Sequence, residues 1–281
     1  MDLEGRTVVL TGATGGIGAA MVAALVARGA HVLAVARHPE RLNALARRHP
    51  AGAVTPFAAD LTDAIDRAAL FTHARRLLPA PSVLVLAHAR PAFGLFAAQG
   101  DDEFDALVRT NLTAPMQLIR CLLPVLQTHT QAAVVAIGST FGSLAFPGFS
   151  AYSASKFGLR GLIEGLGREH ADGPVRFQYL APRATKTPFN APAVDALNQA
   201  LGTHVDAPEP VAETLVRAIE RGTRRRQLGW PEALFARLNG LLPALIDRSL
   251  ARQLPLIRLH AGGATAATTP SQEHRHDPLP L

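Results

Sequence analysis

Short apolar runs alternate along this chain with longer helix-forming stretches. Thr7-Val8-Val9-Leu10 opens the series and His31-Val32-Leu33-Ala34-Val35-Ala36 follows it. Further runs lie at residues 54–58, at Val83-Leu84-Val85-Leu86, at Ala133-Val134-Val135-Ala136-Ile137 and at Val175-Arg176-Phe177-Gln178-Tyr179-Leu180. Most are continuous rather than alternating, as expected of strands covered on both faces. Between them lie an Ala-rich stretch at 19–28 closed by Gly29, a basic one at 40–48, one after Asp60 and one at 211–220. These predict helices. Residues 224–228 are read as leading into a last strand. The alternation predicts an α/β fold, a Rossmann-like doubly wound parallel sheet in three αβα layers. Such sheets bind ligands beyond the carboxyl ends of their strands.

Composition narrows the class. With 281 residues, 48% hydrophobic and 18% charged, the chain suits one folded domain over residues 1–260. Aromatic residues make up only 5%, so the core must rest on Ala, Val and Leu. No apolar run suits a transmembrane helix. The opening Met1-Asp2-Leu3-Glu4-Gly5 does not read as a secretory leader, which predicts a cytoplasmic location. Cys121 is the single cysteine and lies in an apolar run, so a packing role is expected and no metal site. The net charge of +6 raises the question of nucleic acid. The arginines are scattered, however, and Arg224-Arg225-Arg226 has no interleaved aromatics, so no nucleic-acid partner is expected. In residues 230–259 the apolar Leu234, Phe235, Leu238, Leu241, Leu242, Leu245 and Ile246 recur near helical spacing among arginines. Pro231, Pro243 and Pro255 divide this extension into two or three short amphipathic helices. These cover a substrate cleft, pack on a partner, or make peripheral contact with an acidic membrane surface. Residues 261–281 are small, polar and Pro-bearing, and read as a flexible tail.

The end of the first strand carries Thr11-Gly12-Ala13-Thr14-Gly15-Gly16-Ile17-Gly18. Glycines there let the backbone turn tightly and approach a pyrophosphate, which the following helix N-terminus favours. No Gly-Lys-Ser or Gly-Lys-Thr ending is present, which counts against ATP hydrolysis. At the end of the second strand Arg37 stands where an acidic residue would select NAD. A guanidinium can instead pair with the extra phosphate, so NADP is expected over NAD. Asp60-Leu61 is read as closing the third strand, Asp60 accepting a bond from the adenine amine or capping a helix.

Ser139 precedes Tyr152 by thirteen positions and Lys156 by seventeen. Tyr152 is the candidate proton donor for carbonyl reduction, or acceptor for alcohol oxidation. Free tyrosine titrates near pH 10, so it needs help. Lys156, one helical turn on, favours tyrosinate and can bond the nicotinamide ribose, while Ser139 steadies the substrate oxygen.

These motifs closely resemble those of the short-chain dehydrogenases/reductases (SDR family) across roughly residues 5–230. The resemblance implies a catalytic set of Asn111, Ser139, Tyr152 and Lys156, with Asn111 supporting a water chain to the lysine. It implies cofactor contacts from Gly12, Thr14, Gly15, Gly16, Ile17 and Gly18 in the turn, then from Arg37, Asp60, Leu61 and Ala87. Tyr152, Lys156, Pro182 and Thr187 complete them on the nicotinamide side. It also implies a homodimer or homotetramer through long helices near 110–126 and 152–169, and a substrate lid at 187–205. Two departures stand out. Leu86-Ala87-His88-Ala89 replaces the family's Asn-Asn-Ala-Gly, which leaves His88 a packing or a functional role. Pro182-Arg183 replaces Pro-Gly; Arg183 meets an acidic substrate group, meets the cofactor phosphates or turns to solvent. Phe93, Phe146, Phe149 and Phe189 are candidate walls for a small hydrophobic carbonyl or alcohol substrate. The expected activity is NADP-dependent reduction of a hydrophobic ketone, aldehyde or 3-oxoacyl compound. The alternative is a catalytically weak NADP-binding sensor or scaffold.

Overall fold

In the computed structural model, which describes residues 1–266 and the side chains of 1–262, every apolar run forms a strand. These are β1 (Thr7–Thr11), β2 (His31–Ala36), β3 (Val54–Ala58), β4 (Pro81–Leu86), β5 (Ala132–Ile137), β6 (Val175–Ala181) and a short β7 (Arg225–Gln227). The helices are α1 (Gly16–Val26), α2 (Pro39–Ala46), α3 (Ala64–Ala74), α4 (Asp101–Val108) and α5 (Ala114–Leu126). They continue with α6 (Ser150–Glu169), α7 (Pro192–Ala200), α8 (Pro208–Glu220), α9 (Glu232–Leu241) and α10 (Pro243–Ala266).

The sheet runs β3-β2-β1-β4-β5-β6-β7 with every pairing parallel. Strand side chains alternate between faces. Val8, Leu10, Val32, Val83 and Val135 therefore pack against α1 and α8, whose buried residues include Met21, Leu25, Leu215 and Ile219. Val9, Leu33, Leu84, Val134 and Phe177 pack on the other face with Leu118 and Leu122 of α5 and Leu159 and Ile163 of α6. This is the three-layer Rossmann-like arrangement expected. The winding reverses between β1 and β4, which opens a crevice above their carboxyl ends. The two sheet edges are unlike the interior: β3 carries an exposed Pro56, and β7 exposes Arg225 and Arg226.

Several local expectations are corrected. The cap of α3 is Asp63, which accepts from the amides of Ile65 (2.6 Å) and Asp66 (3.2 Å). Asp60 lies beyond the end of β3 and makes its own turn, accepting from the Thr62 amide and hydroxyl. Cys121 is only half-buried. Of the two or three short helices expected in the extension two form, and the second is long because Pro255 sits inside α10 without ending it. It lies on the exposed side, where solvent can satisfy the carbonyl that lacks a donor. Nor does a tail begin at 261: α10 continues to Ala266, and Ala261 is fully buried. Residues 267–281 of that expected tail lie outside the described residues. Among the described residues, no helix is long and apolar enough to cross a membrane, and no group of acidic, His and Cys residues could hold a metal ion.

Candidate active site

The floor of the crevice is the turn from β1 into α1. Gly12 has φ of +67°, and a Cβ there would lie 2.7 Å from the His88 amide nitrogen. The ends of β1 and β4 therefore touch backbone to backbone, which only glycine allows. Helix α1 starts behind Gly15 with no side-chain cap and no acidic residue in its first turn. Its first amides thus lack intrahelical partners, the condition that suits a pyrophosphate. On this observation the turn fits the dinucleotide that the sequence implies. Thr187 closes over it, its methyl occupying the space a Gly16 side chain would need.

Beside the turn, Thr11 Oγ1 lies 2.7 Å from His88 Nδ1, accepts from the Ala87 amide (3.1 Å) and is 3.1 Å from the Val85 carbonyl. This pair stands in for the polar support that the missing asparagines would give. His88 is held neutral, its pKa lowered to about 4 by burial and, secondarily, by the Lys156 charge, with Asp60 opposing. His88 Nε2 is buried without a protein partner.

The reacting groups come from the end of β5 and the first turns of α6. Ser139 accepts from the Phe141 amide at 3.1 Å and lies against the Tyr152 phenol. Burial raises the Tyr152 pKa above the ordinary tyrosine value, Tyr179 adds to the rise, and the Ser139 hydrogen bond opposes it. Lys156 Nζ is 5.7 Å from the Tyr152 ring centre and donates to the Ile137 carbonyl at 3.3 Å. Burial lowers its pKa to about 8.

Asn111 sits behind this group. A π-helical turn over Arg109–Thr113 joins α4 to α5 and holds it 1% exposed. Its Oδ1 accepts from the Arg90 amide (2.7 Å), and its Nδ2 donates to the Arg90 carbonyl and Ser155 Oγ (both 3.0 Å). Ser155 in turn donates to the Tyr152 carbonyl at 2.7 Å. The side chain of Asn111 thus braces the start of α6 rather than facing the cleft.

A cleft of about 410 Å³ joins floor and reacting groups. Gly12, Gly15, Gly16, Ile17 and Gly18 line one side, with Ala87 at the end of β4. Ser139, Tyr152 and Lys156 face them, and Pro182 and Thr187 close the end that the resemblance assigns to nicotinamide. Four expected cofactor contacts, Thr14, Arg37, Asp60 and Leu61, are not on its walls, and neither is Asn111 of the expected catalytic set. Leu61 is core, 6% exposed. Arg37 is exposed just past β2, close enough to Asp60 for its charge to act on that carboxyl. The Asp60 pKa is lowered overall: burial opposes this, but the two Thr62 hydrogen bonds, Arg37 and His88 outweigh it. A second depression, of about 460 Å³, is lined by Glu164, Arg168, Arg176 and Arg225 and contains none of the site residues, so the chemistry decides for the first.

The apolar wall is only partly as expected. Phe146, Phe149 and Phe189 line the cleft, but Phe93 does not; it packs against Phe149 with ring centres 4.7 Å apart. Phe141, which sequence reasoning passed over, joins the wall 6.4 Å from the Tyr152 ring. Its only signal is its place two residues after Ser139. Tyr179 was also passed over. Its hydroxyl reaches both the amide and the carbonyl of Ser139 at 3.4 Å, filling space left by Gly138 and Gly142. Burial pushes its pKa up to about 12, so it braces the serine loop as a neutral phenol.

Arg183 lines the cleft and does not turn to solvent, its side chain being 13% exposed. Nε and Nη2 bond both oxygens of Asp206 at 2.7 and 2.9 Å, while Nη1 reaches the Trp230 carbonyl at 3.1 Å and Glu232 at 3.3 Å. These pairings raise its pKa further. One guanidinium thus ties the end of β6 to the segment leaving the lid and to the start of α9. Beyond this latch, Phe235, Ile246, Leu250 and Gln253 of the extension line the cleft.

The family model for short chain dehydrogenase matches residues 6–198. The chain is 30% identical over 226 residues to glycine betaine reductase of Emericella nidulans, covering 78% of this chain but 18% of that longer protein. It is 30% identical over 192 residues to dehydrogenase/reductase SDR family member 4 of Mus musculus, 67% of this chain and 69% of the relative. A short-chain dehydrogenase of Streptomyces avermitilis superposes with a TM-score of 0.75 at 28% identity, over 90% of this chain and 98% of that one. A short-chain dehydrogenase of Sphingobium yanoikuyae, solved in complex with NADPH, gives 0.73 at 27%, over 86% and 95%. Since the family match runs from the first strand into the lid helix, the chain belongs to the short-chain dehydrogenase family of oxidoreductases.

Proposed function

We propose that this protein is an NADP-dependent reductase of an apolar ketone, aldehyde or 3-oxoacyl compound. The observation that carries the reading is the meeting of Ser139, Tyr152 and Lys156 with the glycine turn in one cleft. Bound nicotinamide would supply the hydride. Ser139 holds the substrate oxygen, and the Tyr152 hydroxyl gives that oxygen its proton as negative charge grows there. Burial makes the phenol a weak acid by itself, and the Lys156 ammonium favours its ionised form. Arg37, exposed beyond β2, supports NADP over NAD, as does the NADPH bound by the Sphingobium relative. Phe141, Phe149 and Phe189 around Tyr152 support an apolar substrate. Exposed Met116 on α5 and Phe157 on α6 support a homo-oligomer through those helices.

The test is NADPH consumption over a panel of apolar carbonyl compounds. Tyr152→Phe is expected to lower kcat by about 100-fold or more with NADPH affinity nearly unchanged. Equal rates in the variant would refute the mechanism; cofactor binding without turnover on any compound would favour a sensor or scaffold. Replacing Arg37 by Asp is expected to weaken NADPH about tenfold or more relative to NADH. Equal affinities unaffected by the substitution would refute the phosphate reading.

A further inference from the structure

The two helices of the extension present opposite surfaces. In α10 the inward face carries Ile246, Leu250, Gln253 and Ile257, of which Ile246 and Ile257 are 5% and 0% exposed. The outward face carries Leu245, Arg248, Arg252, Pro255 and Leu259, three or four positions apart. The corner between α9 and α10 reads Leu241-Leu242-Pro243-Ala244-Leu245, and its leucines are 78%, 56% and 56% exposed. Trp230, just before α9, is 72% exposed. Phe235 is both exposed and part of the cleft wall, so apolar surface continues from the cleft to the outside.

The charges around the corner are one-sided. Among the described residues of the extension, Arg237, Arg248, Arg252 and Arg258 are exposed against a single exposed acid, Asp247, because Glu232 is paired with Arg183. A second copy seated on this corner would bring arginine against arginine. A layer of anionic headgroups takes both parts: leucines enter the acyl boundary while arginines stay among the phosphates. We propose that the α9–α10 corner docks this protein on an anionic lipid surface, with the cleft opening beside the bilayer. That an apolar carbonyl compound enters from the bilayer rests on the function proposed above; the docking itself does not.

The full chain is mixed with vesicles of phosphatidylcholine alone, or with about a third phosphatidylglycerol, and sedimented. Binding is expected only to the anionic vesicles, weakening with salt. Leu241→Asp with Leu245→Asp is expected to cut partitioning about tenfold or more, leaving turnover of a water-soluble carbonyl compound unchanged. Arg248→Glu with Arg252→Glu is expected to cut it by about fivefold per arginine removed. Absence of sedimentation with anionic vesicles, or an aspartate variant that binds like the parent, would overturn the proposal. So would light scattering showing that the aspartate variant halves the particle mass while vesicles bind neither form, since that assigns the corner to a second copy.

Discussion

Thr11 and His88 meet at 2.7 Å beside Leu86 and Ala87, which stand where the family has two asparagines, and the bond they share is titratable. Folded His88 takes a proton only near pH 4, whereas the unfolded side chain does so near 6.5. Between those values the unfolded chain binds more protons, so stability falls as pH drops from about 6.5 to about 4 and levels off below. The loss is at most about 3 kcal/mol. Urea unfolding at pH ~7 and pH ~4.5 should show this drop in the parent and a flatter response in His88→Gln. Residue types called for by chemistry were legible in the sequence: the spacing of a hydroxyl, a phenol and an ammonium at Ser139, Tyr152 and Lys156 singled out three side chains that line one cleft. Tyr179 was not legible. A tyrosine within an apolar strand looks like core, and its partner is the backbone of Ser139, forty positions away.

Elements joined by a single side chain should loosen when it is cut. Arg183 links the end of β6 to Asp206 after the lid and to Glu232 of α9, and its side chain is 13% exposed. Arg183→Met is expected to cost about 1–2 kcal/mol in denaturant unfolding, a bidentate pair being lost from a partly buried site. It is also expected to raise KM more than it lowers kcat and to speed proteolysis around α7, because lid and extension lose a common anchor. Unchanged proteolysis and KM would reduce the arginine to a surface charge. The strands and most helices were readable from apolar runs, since burial on both faces dictates composition. The latch was not, because arginine pairing depends on which loops the fold brings together. The continuity of α10 through Pro255 also escaped, because a proline's cost depends on which side of the helix meets solvent.

For the molecule as a whole, α5 and α6 lie on one outer layer and expose Met116 (41%) and Phe157 (39%). If copies associate there, Phe157→Glu is expected to shift the mass seen by light scattering toward the monomer, with the far-UV spectrum unchanged. Retention of the parent's oligomeric mass would place the interface elsewhere. The ends of the sheet bear on a different kind of association. A parallel sheet forms slowly and exposes its margins while it does so. Pro56 has no amide hydrogen to offer a neighbouring strand on the β3 side, and Arg225 and Arg226 set like charges against any second β7 on the other. Recruitment of a stray strand is thus disfavoured at both margins. Crowded refolding intermediates meet blunt ends, and the sheet stops growing at seven strands.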